Sequence, residues 1–156
     1  MVGQDGGNPL RLNFLQMEQS NECSWFISTD QALLDVEAVH RLLQGSYWAE
    51  NRSKATIQES IANSLCFGVY LRADRSQIGF ARVVTDKATF SWICDVIVDE
   101  DHRGKGIGKA LMAAIMEHPI VSTTMNLLGT RDAHGLYEQF GFVRREMMRR
   151  SARAFG

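Results

Sequence analysis

Val36, Val39, His40 and Leu43 recur at i, i+3, i+4 and i+7, the spacing of one face of a helix. Asp35 precedes the run as an N-cap and Gly45 follows it as a stop. His40 lies on that face and reads as a packed or edge histidine. The segment KATIQESIANS predicts a second helix after the connection SYWAENRS. The pattern then changes to β-branched and aromatic residues bounded by turn residues. LCFGVYLR, QIGFARVVTD and TFSWICDVIVD predict three strands separated by ADRS and DKA. WFIST predicts a short strand ahead of the first helix. Past the third long strand, Ile107, Ala110, Leu111, Ala114 and Ile115 return to helical spacing, with Pro119 just beyond that helix. TMNLLGT reads as a strand, AHGLYEQF as a short helix and GFVRREMM as a last strand. The predicted order is β-α-α-β-β-β-α-β-α-β, an α/β domain with helices flanking one mixed, mostly antiparallel central sheet.

Composition bounds the function classes. The chain has 156 residues, 45% of them hydrophobic, enough for one domain with a core. We divide it into a flexible leader over 1–22, a single domain over 23–150 and a basic tail over 151–156. The Gly-, Asn- and Pro-containing start has no apolar signal core behind a basic segment. Apolar runs fall far short of the ~20 residues of a membrane span. The net charge of -1 argues against nucleic acid gripped through overall charge. Cys23, Cys66 and Cys94 lack metal-ligand spacing. They read as reduced structural thiols of a cytoplasmic protein, and no metal is expected.

Between the third long strand and its helix stands DEDHRGKGIGKALM. A glycine loop between a strand and a helix N-terminus presents free amides and a positive dipole end to an anion. It is not a Walker A loop, because Ala110 follows Lys109 where a hydroxyl would hold magnesium. It is not a dinucleotide fingerprint either, because its glycines run G-x-G-x-G late in the chain. The form [Q/R]-x-x-G-x-[G/A], a pyrophosphate loop, fits RGKGIG.

With VIVDEDHRGKGIGKALM, LYEQFGF and the element order across residues 24–148 taken together, the sequence resembles the GNAT N-acetyltransferase superfamily. The resemblance implies acetyl-CoA as co-substrate. It implies that the loop, Arg103, Gly104, Lys105, Gly106, Ile107, Gly108 and Lys109, holds the pyrophosphate. Val96, Ile97 and Val98 would pair their backbone with the pantetheine arm, on a strand that splays from its neighbour. Tyr137 would be the acid that protonates the leaving thiolate, since a phenol with a pKa near 10 stays protonated at neutral pH.

The family's glutamate base would fall near Ser91 and Trp92, neither of which takes a proton. Asp95, alone in an apolar strand, is the expected base or amine binder, because a buried acid needs a partner or a task. Strand alternation would put it on one face with Ile93 and Ile97. His134 shares a helix face with Tyr137 and is a second base candidate. Tyr47, Trp48 and Arg52, in the connection between the first two helices, are the candidate acceptor residues and suit a small amine that also carries a carboxylate. The expected activity is acetyl transfer to the primary amine of a small molecule or peptide, by a monomer or homodimer. The alternative is a non-catalytic acyl-CoA-binding domain.

Overall fold

Asp35 starts the first helix as its sequence position suggests. Its carboxylate accepts from the amides of Glu37 (2.9 Å) and Ala38 (3.2 Å), two donors a helix N-terminus leaves unpaired. Helix α1 runs Val36–Gln44 and ends at Gly45. Ser53 caps α2, Lys54–Ala62, through the Thr56 amide. The computed structural model describes residues 24–152. The leader, Cys23 and residues 153–156 lie outside the described residues.

The strands are β1 (Trp25–Ser28), β2 (Leu65–Leu71), β3 (Gln77–Thr85), β4 (Phe90–Val98) and β5 (Met125–Leu128). They form one sheet in the order β1-β2-β3-β4-β5. Every pairing is antiparallel except β4 with β5, which is parallel. Helix α3 (Ile107–Glu117) makes the crossover, followed by the short α4 (Pro119–Ser122); α5 is His134–Glu138. The architecture is therefore the expected mixed, mostly antiparallel sheet with helices on both faces.

Two apolar layers hold it together. Val39, Leu43, Ile57 and Ile61 of α1 and α2 pack with Phe80 and Ile97 on one face. Ile107, Leu111, Met112 and Ile115 of α3 pack with Phe67, Val69, Val83 and Ile93 on the other. Phe67 and Phe80 are both fully buried, each worth roughly 1.5–3 kcal/mol of transfer free energy. Because both faces of the sheet are covered, β2 reads as a continuous apolar run rather than an alternation. No helix among the described residues is long and apolar enough to cross a membrane.

Two expectations are corrected. GFVRREMM is not a strand; residues 142–152 have no regular structure. Arg144, Arg145 and Glu146 separate Val143 from Met147 and Met148, so the segment offers no single apolar face to a sheet, and those three apolar side chains stay exposed. The second correction concerns β4. Arg82 pairs with Cys94 and Phe80 with Ile97, so Ala81 alone faces both Asp95 and Val96. This is a β-bulge, with Asp95 in the left-handed region at φ 55°. The extra residue shifts the period, so Ile93 packs with α3 and Ile97 with α1 and α2. The two isoleucines do not share a face.

Candidate active site

The glycine loop owes its shape to backbone torsions that only glycine adopts freely. Gly104 and Gly106 have φ of 75° and 79°, and a Cβ on either would meet no heavy atom within 4 Å. Gly106 is the N-cap of α3 and makes no side-chain cap bond. The first helical amide bond is Ala110 N–H to Gly106 C=O, at 3.0 Å. The amides of residues 104–109 therefore have no acceptor among the described residues, in open space at a helix N-terminus. Such a cluster suits a phosphate. The cationic side chains here are partly occupied. Arg103 donates from Nε to Val98 C=O (3.0 Å) and lies 3.7 Å from Glu100, and Lys105 donates to Asp101 C=O (3.2 Å). Lys109 is exposed. We expect Gly106→Ala to weaken CoA binding about tenfold through the ~1–2 kcal/mol cost of a left-handed non-glycine residue, as titration would measure.

Beside the loop the sheet opens. β4 pairs with β5 only from Phe90 opposite Met125 to Ile93 opposite Leu128. Residues 94–98 continue as strand with no neighbour on that side, because β5 has ended. The closed end of the opening is pinned by side chains: Ser91 Oγ lies 2.7 Å from Thr124 Oγ1 and donates to Thr85 Oγ1 at 3.1 Å. Ser91, near the place the resemblance assigns to a glutamate base, is thus a buried structural hydroxyl. Val96 and Val98 pack on the α3 side, and Gly108 brings the start of α3 close to Val98. A short turn over residues 99–103, with a 3-10 helix at Glu100–His102, joins the unpaired strand edge to the free amides.

Asp95 is anchored. Its Oδ2 accepts from Arg52 Nη1 at 2.6 Å and Arg82 Nε at 2.9 Å. The carboxylate side chain is 2% exposed, against 22% for Arg52 and 15% for Arg82. Arg82 sits in one row across the sheet between Cys66 and Cys94. Both cysteines are free thiols, pushed up to about 11 by burial, with Arg82 pulling the other way; they are the unreactive kind. Arg52, one of the acceptor candidates, ties the α1–α2 connection to the bulge of β4.

Tyr137 lies on α5, half-buried against the α3-side core that also carries Val96 and Val98. Its ring meets Phe142 edge-on at 6.1 Å. Burial raises its phenol above the ordinary tyrosine range, with Tyr47 and Asp132 adding to the shift. His134 opens the same helix. Tyr47 and Trp48 form an exposed edge-to-face pair, 4.9 Å between centroids. The sequence reading missed Arg131. Its guanidinium carbon stands 3.7 Å from the Tyr47 ring centroid, and its amide donates to Tyr47 Oη at 3.3 Å. A single arginine in a loop 84 residues from its partner leaves no local signal.

A separate cavity of about 240 Å³ is lined by Ile27, Ser28, Thr29, Phe67, Ala114, Glu117 and His118. It lies at the C-terminal end of α3, whereas the glycine loop lies at the N-terminal end. With ~1.5 Å of rise per residue, the two are separated by much of the helix. The cavity is thus distinct from the free amides and the strand edge.

A family model described as an acetyltransferase (GNAT) domain matches residues 63–144. A solved structure from Xanthomonas campestris pv. campestris, assigned to the GNAT acetyltransferases, is 42% identical, with 82% of this chain and 93% of that chain covered and a TM-score of 0.77. An uncharacterized N-acetyltransferase of Prochlorococcus marinus is 30% identical over 125 residues, 73% of this chain and 67% of the relative. The glucosamine-6-phosphate N-acetyltransferase of Arabidopsis thaliana, 17% identical with 85% and 99% coverage and a TM-score of 0.60, shares the fold. With more than half of its length inside the matched domain, this chain belongs to the GNAT acetyltransferase family.

Proposed function

We propose that the protein transfers an acetyl group from acetyl-CoA to the primary amine of a small molecule by direct attack on the thioester. The observation that carries the reading is the unpaired edge of β4 over residues 94–98, followed one short turn later by the free amides of residues 104–109. The donor fits: the loop has room for a pyrophosphate, and a strand edge can pair with the amide groups of a pantetheine arm. When bound, acetyl-CoA supplies an activated acetyl thioester.

The chain's residues divide the work. The loop amides hold the pyrophosphate and the β4 edge aligns the arm, so the thioester lies near the bulge. A backbone N–H near residues 96–98 stabilises the oxyanion as the amine nitrogen bonds to the carbonyl carbon. As the C–S bond breaks, Tyr137 gives its phenolic proton to sulfur. The proton lost by the amine restores the phenol through solvent, with His134 as relay. Asp95 in this account is a positioning residue, whose carboxylate fixes Arg52 and Arg82. The products are an acetamide and free CoA thiol. The test is thiol release from acetyl-CoA against amino acids, polyamines, aminoglycosides, arylalkylamines and short peptides, with the acetylated product weighed by mass spectrometry. Thiol release that tracks an amine's acetylation supports the reading. Tight acetyl-CoA binding without turnover on any class contradicts it.

A further inference from the structure

We infer that Arg131, stacked on Tyr47, is the specificity-determining residue for the acceptor and reads a carboxylate on an amine whose apolar body lies against Tyr47 and Trp48. The inference rests on the acetyltransferase reading and names its substrate class. Four observations carry it. Arg131 makes no ion pair among the described residues, whereas Arg52 and Arg82 are both held by Asp95. Its guanidinium carbon stands 3.7 Å from the Tyr47 ring centroid, a cation–π contact that does not use up its forked N–H donors. That fork matches a carboxylate with two parallel hydrogen bonds. Finally, Tyr47 and Trp48 remain 45% and 43% exposed, an apolar surface beside the cation, and Tyr47 is near enough to Tyr137 to influence its phenol.

The arrangement joins two chain segments. Tyr47 comes from the α1–α2 connection and Arg131 from the loop between β5 and α5, and the Arg131 amide bond to Tyr47 Oη closes them on each other. An acceptor seated there has its anionic group on Arg131 and its amine directed toward Tyr137. An uncharged amine of the same shape loses the paired hydrogen bonds.

The test uses two amines with one skeleton, phenylalanine and 2-phenylethylamine, on the full chain and on Arg131→Gln and Arg131→Lys. The wild type is expected to favour phenylalanine in kcat/KM. Arg131→Gln should raise the phenylalanine KM roughly 10- to 100-fold, the range of a hydrogen bond to a charged group. It should leave kcat, the acetyl-CoA KM and the 2-phenylethylamine constants within about twofold, and Arg131→Lys should recover part of the loss. Equal effects on both amines, or a wild-type preference for 2-phenylethylamine, overturn the inference. Calorimetric titration of both amines into the CoA-loaded protein reads the same preference without turnover. Phenylalanine binding that Arg131→Gln weakens about tenfold supports the role of Arg131 even if acetyl transfer fails. Phenylalanine binding that is absent or unaffected by the substitution contradicts it.

Discussion

Tyr137→Phe is expected to lower kcat by about 10²-fold or more, the range for losing a general acid, while the affinity for CoA stays within about twofold. The substitution removes one oxygen and keeps the ring, so its packing against Phe142 and the α3-side core persists. What is lost is the proton for the departing sulfur. The phenol suits that task because burial, then Tyr47 and Asp132, hold it above the ordinary tyrosine range, so it is protonated at neutral and mildly alkaline pH. Ionisation of Tyr137 should therefore not limit kcat at neutral or mildly alkaline pH. Steady-state rates beside a CoA titration check the prediction. An unchanged kcat removes Tyr137 from the mechanism. Loss of CoA affinity together with rate would instead mark Tyr137 as part of the donor site.

Asp95→Asn is expected to destabilise the fold by about 3 kcal/mol, the cost of stripping one partner from a buried ion network. For a chain of this size that lowers the Tm by roughly 6–12 °C. The amide has the same shape and asparagine tolerates the left-handed torsion, so the backbone of the bulge contributes little to the loss. The cost comes from Arg52 and Arg82, which share one carboxylate oxygen at 2.6 and 2.9 Å and would face a neutral amide that satisfies them poorly. Thermal unfolding measures this directly. The kinetics separate two roles. A positioning residue loses stability and raises the acceptor KM, because Arg52 no longer fixes the α1–α2 connection. A general base loses kcat as well, with the acceptor KM unchanged.

The legible parts of this protein were those written in local pattern. Asp35 and Gly45 bound α1 in the sequence and in the fold, because capping is a contact between residues two or three apart. The glycine loop was legible for the same reason: strand, glycines and helix are contiguous. The bulge at Asp95 was not, because a bulge belongs to the pairing of two strands and only the register of β3 against β4 reveals it. The same gap concealed the partners of Asp95. An acid in an apolar strand announced a need, but Arg52 and Arg82 meet it from 43 and 13 residues away. Arg131 had no pattern at all until Tyr47 was beside it. The segment GFVRREMM forms no strand, because β-branched and aromatic content counts for little without an apolar face to bury.

The most direct measurement is hydrogen–deuterium exchange with and without CoA. The account predicts slowed exchange at the amides of residues 104–109 and at those of residues 94–98 that point away from β3, where a pyrophosphate and a pantetheine arm would take up the unpaired donors. Protection confined to residues 27–29 and 114–118, around the cavity at the far end of α3, with the loop unchanged, would contradict it.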